Sequence, residues 1–105
     1  MIRAEFYESK GNIYGFKISG HAEFAESGND IACAAVSSAV QLTVNNVDAF
    51  TGCIAEIDES DNSIICRANS KHDKNCGLLI NKFRQHLEAI SNEFPKTIKI
   101  TTTEV

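Results

Sequence analysis

The chain has 105 residues, enough for one compact domain with a buried core and too few for two domains of ordinary size. Apolar residues make up 43% of it and charged residues 23%, a globular balance that excludes disorder driven by charge. A formal net charge of −4 argues against a nucleic-acid backbone as the main ligand and suits a basic partner better.

In chain order, Ile2, Ala4 and Phe6 alternate with Arg3, Glu5 and Tyr7, Ser9-Lys10-Gly11-Asn12 reads as a turn, and Tyr14, Phe16 and Ile18 alternate again. This pattern predicts a β-hairpin. From Asp30 the period changes to that of a helix: Asp30 is the expected cap, Ala32, Val36, Val40, Val44 and Val47 recur to about Phe50, and Gly52 marks the exit. Two short strands, 53–58 and 63–68, then flank the turn Glu59-Ser60-Asp61-Asn62. Cys76, Ile80, Phe83, Leu87, Ile90 and Phe94 follow helical spacing, with Gly77 weakening the first turn and Pro95 stopping the helix. Ile98 and Ile100 belong to a last strand, expected at a sheet edge and so open to pairing with a second copy. The order ββαββαβ predicts a single two-layer α+β domain over 1–105, its sheet mostly antiparallel or mixed, with two helices.

The four cysteines, at 33, 53, 66 and 76, include no CxxC pair and no local Cys/His cluster, so a metal site is not expected. The first residues, MIRAEFYESKGN, lack the basic-then-apolar pattern of a signal peptide, and no apolar run approaches the roughly 20 residues of a membrane span. Reduced thiols in a soluble, cytoplasmic protein are the expectation.

The connection Gly20-His21-Ala22-Glu23-Phe24-Ala25-Glu26-Ser27-Gly28-Asn29 exceeds the two to six residues usual between a strand and a helix. Its glycines suit hinges, as they would in any surface loop. With Asp30 as cap, Cys33 is the third helical residue, near free N–H groups and the positive end of the helix dipole, a setting that favours thiolate. His21 is a candidate base for it. Cysteine is also among the most often buried residues, and Cys33 before Ala34, Ala35 and Val36 reads equally as core packing. Asp30 has two compatible roles, capping the helix or orienting His21. Ser37, one turn after Cys33, either reaches the same region or bonds back to a carbonyl. Cys53, Cys66 and Cys76 read as core, and His72 and His86 as solvated surface.

The stretch GHA, five residues, then GNDIACAAVS resembles the signature of the ribosomal-processing cysteine protease family, called Prp or YsxB-like. The order of elements and the length are similar to that family too, while the specific part of the match covers positions 20 to 37. The resemblance implies a catalytic dyad of His21 and Cys33, with Asp30 and Ser37 as supporting positions. Ala32 departs from the family pattern, where valine is commoner; this loosens packing behind the nucleophile and removes no chemistry. The resemblance further implies a homodimer that removes a short N-terminal extension from ribosomal protein L-twenty-seven, cutting after phenylalanine. It implies, too, a mobile glycine-bounded loop that orders around the substrate, corresponding here to the segment with Gly20, Ala22, Phe24 and Gly28. In that chemistry His21 deprotonates Cys33, the thiolate attacks the scissile carbonyl, and water resolves a thioester, with no cofactor. Two other readings compete: a non-catalytic dimeric ribosome-assembly module holding a basic ribosomal protein, and a redox sensor built on an oxidisable thiolate.

Overall fold

The computed structural model describes residues 1–20, 29–51, 54–58 and 63–105, with backbone alone for 29–30, 51 and 54–58. Strands β1 (Ile2–Ser9) and β2 (Asn12–Ser19) precede helix α1 (Asn29–Thr51); β3 (Ile54–Asp58) and β4 (Ser63–Arg67) precede helix α2 (Lys74–Glu93), and β5 (Ile98–Glu104) follows. The ββαββαβ order and the α+β class are as expected. The strands form one five-stranded sheet in the order β3-β4-β2-β1-β5. Every pair is antiparallel except β1 with β5, which makes the sheet mixed and puts β5 at an edge.

The first hairpin turns through two residues: Ser9 pairs with Asn12, and Lys10 and Gly11 both have positive φ, 50° and 82°. Such a turn matches the right-handed twist of the flanking strands. Alternation in β2 is broken by a bulge, because Tyr7 pairs with Gly15 and Glu8 with Ile13, leaving Tyr14 unpaired in register. The extra residue reverses the facing of what precedes it. Ile13, not Tyr14, therefore joins Phe16 and Ile18 in the main core cluster, while Tyr14, also buried, packs against Tyr7 with 6.4 Å between ring centroids. This corrects the expected Tyr14-Phe16-Ile18 face.

Phe6, Phe16 and Phe83 lock the hairpin to α2, with centroid separations of 6.2, 5.9 and 4.8 Å. Cys66 and Cys76 are fully buried in the same core, as expected, whereas Cys53 lies outside the described residues. Helix α2 starts two residues before Cys76. Asp73 is its N-cap, accepting from the Cys76 N–H at 3.0 Å, and Pro95 follows its end. Helix α1 ends at Thr51, directly before Gly52, which lies outside the described residues. His72 and His86 are exposed.

Gly77 does more than weaken a turn. A Cβ there would collide with the Asn12 side chain, whose amide donates to the carbonyls of Lys71 at 2.9 Å and Asp73 at 3.0 Å. Asn12 thus ties the hairpin to the start of α2, and Gly77 makes room for it. Gly77→Ala gains about 1 kcal/mol of helix propensity but displaces Asn12 and its two bonds, each worth about 0.5–1.5 kcal/mol. A fall in melting temperature is expected for Gly77→Ala in the wild-type chain. In an Asn12→Ala background, where the obstacle is gone, the same substitution should raise the melting temperature. Additive effects in thermal melts of the four proteins would show that the clamp does not exist.

Candidate active site

Helix α1 buries Ala32, Val36, Val40 and Val47. Successive side chains of a helix are rotated by about 100°, so the residues following the first three, Cys33, Ser37 and Gln41, form a neighbouring stripe. That stripe lines a groove of about 290 Å³. Ile2, Ile18, Val36, Val40 and Ile64 supply its apolar surface, and Gly20 and Ser63 complete it. Cys33 is half-buried: it packs against the core and also lines this groove.

Of the residues expected at the site, Cys33, Ser37 and Gly20 share this groove. His21, Ala22, Phe24 and Gly28 lie outside the described residues. The backbone of Asp30 is helical, because α1 begins at Asn29, one residue before the expected cap. Aspartate is favoured both as a cap and within the first turn, where it meets the positive end of the dipole, so the residue type does not fix the boundary. Cys33 is accordingly the fifth helical residue rather than the third, beyond the first turn whose N–H groups lack intrahelical partners. Ala32 is fully buried, and the smaller side chain leaves the stripe intact.

Two polar lining residues were not anticipated. Gln41 continues the Cys33–Ser37 stripe by one more turn, a spacing visible in the sequence. Ser63 is fully buried, and among the described residues its hydroxyl has no hydrogen-bond partner. A buried hydroxyl in that state costs about 1–3 kcal/mol. Nothing in the sequence sets Ser63 apart from any other serine beside a turn.

Gly20 holds the strand end in an unusual shape. Its φ is +73°, and a Cβ would stand 2.5 Å from the carbonyl oxygen of Met1. A larger groove of about 440 Å³ runs between the helices, lined by Ala39, Leu42, Leu79 and Phe83 among others, but it contains no cysteine. Among the described residues no group of three or more His, Cys, Asp or Glu is placed to hold a metal ion, and no helix is long and apolar enough to cross a membrane.

A thiol on a helix beside a peptide-sized, largely apolar groove, within a small α+β domain, is the equipment of a cysteine hydrolase. The family described as cysteine protease Prp matches residues 1–99. The ribosomal processing cysteine protease Prp of Bacillus subtilis (strain 168) is 32% identical over 114 aligned positions, covering 97% of each chain. The essential ribosomal processing protease Prp from S. aureus, solved with a covalently linked product peptide, superimposes with a TM-score of 0.83 at 22% identity, over 98% of this chain and 100% of that one. SMU.848 from Streptococcus mutans superimposes with a TM-score of 0.81 at 27% identity, over 100% of this chain and 96% of that one. The chain belongs to the Prp family of ribosomal processing cysteine proteases.

The environment of Gly20 yields a comparison with Gly11, which also has positive φ but would have nothing within 4 Å of a Cβ. Alanine at either position bears a left-handed penalty of about 1–2 kcal/mol. Only Gly20→Ala adds a backbone collision at the groove. Gly20→Ala should lower the melting temperature more than Gly11→Ala and should alone reduce peptide turnover; equal effects in paired melting and cleavage assays would rule out this role for Gly20.

Proposed function

We propose that the chain removes a short N-terminal extension from the precursor of ribosomal protein L-twenty-seven, using Cys33 as nucleophile and His21 as base. The observation that carries this reading is the shared groove: Cys33, Ser37 and Gly20, the covalent neighbour of His21, line one cavity whose surface is largely apolar. Family membership supports a peptide substrate, and the B. subtilis relative is by name a ribosomal processing protease.

In this mechanism His21 takes the thiol proton, and the Cys33 sulfur attacks the scissile carbonyl. The imidazolium returns the proton to the departing amine, leaving a thioester on Cys33. A water deprotonated by His21 then attacks that thioester, which releases the acid and restores the thiol. Asp30 orients His21, Ser37 lies one turn from the sulfur, and the segment with Gly20, Ala22, Phe24 and Gly28 closes over the peptide. Apolar lining suits an apolar side chain of the substrate, and the net charge of −4 suits a basic ribosomal protein. The working form is a cytoplasmic homodimer and needs no cofactor.

The test is to incubate wild type, Cys33→Ala and His21→Ala with the same organism's L-twenty-seven precursor and record intact masses. Wild type should release one N-terminal peptide, and each variant should be slower by roughly a thousandfold or more. Cleavage that survives Cys33→Ala would end the nucleophile assignment. Binding of the precursor by every form without any cleavage would instead favour the assembly-module reading.

A further inference from the structure

Ser63 stands at the start of β4, one residue past Ile18–Ile64, the last pair of the β2–β4 ladder. This is the end of the sheet at which β2 leads into Gly20. Its neighbours in the groove include Cys33, Ser37 and Ile64. Its side chain is fully shielded from solvent, yet the hydroxyl has no partner among the described residues. Buried hydroxyls are normally satisfied, and each exception calls for a physical explanation.

Among the described residues the other buried polar side-chain atom without a partner, Arg84 Nε, has such an explanation close at hand. The rest of that guanidinium is bonded, donating to Thr102 Oγ1 at 3.1 Å and to Asn81 Oδ1 at 2.8 Å. A serine has one hydroxyl and no second group to share the deficit. Alanine would fill nearly the same volume without the penalty. Among the described residues nothing offsets that cost, whereas a ligand in the groove that bonds the hydroxyl would.

We propose that Ser63 is a specificity-determining residue, whose hydroxyl hydrogen-bonds a main-chain peptide group of the substrate and fixes its register beside the Cys33 sulfur. The inference rests on the groove being the peptide site. A serine hydroxyl donates one bond and accepts others, so it matches a peptide carbonyl or N–H without reading the side chain. The remaining lining is mainly apolar, with Ser37 and Gln41 on the helix wall, leaving Ser63 as the polar group from the sheet. The contact is made alike in the bound and reacting states, so it acts on binding rather than on the chemical step.

The experiment uses Ser63→Ala in the full chain and a synthetic peptide spanning the cleavage junction of the same organism's L-twenty-seven precursor. Melting of the free protein should be unchanged or raised by the substitution. KM for the peptide should rise about three- to tenfold, with kcat within about twofold of wild type. In a Cys33→Ala background, where cleavage is blocked, the Kd of the same labelled peptide should rise by the same factor. A lowered melting temperature would mean that the hydroxyl has a structural partner, and would overturn the proposal. So would unchanged KM and Kd alongside normal cleavage, which leaves the protease reading standing. Cleavage that survives Cys33→Ala would sink the nucleophile assignment instead, with Ser63 still judged by the KM shift. Failure of the peptide to bind or be cleaved at all would remove both.

Discussion

The site depends on the rotational setting of α1 over the sheet. Burying a valine side chain is worth about 1.5–3 kcal/mol, and α1 commits Val36, Val40 and Val47 to the core with Ala32 between them and the helix start. Turning the helix by one position would bring Ser37 and Gln41 inward and expose two of those valines. The apolar stripe therefore holds Cys33 at the groove edge without any contact made by the thiol having to do so. Packing, not the polar chemistry of the groove, chooses where the Cys33 side chain points.

The same logic explains what can be read from sequence. The helices are legible because their apolar periods are strong, and Cys33, Ser37 and the motif glycine Gly20 are legible because chemistry and spacing mark them. The bulge at Tyr14 is not, since Ile13 and Tyr14 are both apolar enough for the core and only pairing with Tyr7 and Glu8 decides between them. The start of α1 shifts by two residues, from Ile31 to Asn29, because aspartate serves equally before and inside the first turn. Gly77 looks like a weak point in α2 until Asn12, far away in sequence, is seen to occupy the space. Ser63 illustrates the limit most sharply: an unsatisfied hydroxyl is a property of surroundings, and no local pattern encodes it.

The groove also draws on distant parts of the chain. Ile2 comes from β1, Ile18 from the end of β2, Gly20 from just after it, Cys33 to Gln41 from α1, and Ser63 and Ile64 from β4. Strand β1 is held from both sides, by β2 and by the parallel strand β5, with the Ile2 N–H donating to the Thr97 carbonyl at 2.9 Å. Edge strand β5 thus supports the groove without touching it. Met1 in turn confines Gly20 through its carbonyl oxygen, so the strand leading into His21 is shaped by the chain's first residues. Long-range pairing of this kind assembles late and costs loop-closure entropy, which ties the integrity of the groove to that of the sheet.

Selectivity in such a groove comes from two unlike sources. An apolar surface discriminates weakly, about 1–3 kcal/mol for a methylene gained or lost, so it accepts a range of apolar side chains. A buried hydroxyl penalises a ligand that fails to bond it, because its own desolvation is then left uncompensated. With Ile2, Ile18, Val36, Val40 and Ile64 on one side and Ser63 on the other, the groove combines tolerance of side chain with insistence on main-chain register. In the proposed reaction the Ser63 contact acts through binding, by favouring one bound register of the peptide over others. The net charge of −4 acts over longer distances and would favour encounter with the basic substrate proposed above. It falls away with salt, whereas the register set inside the groove does not.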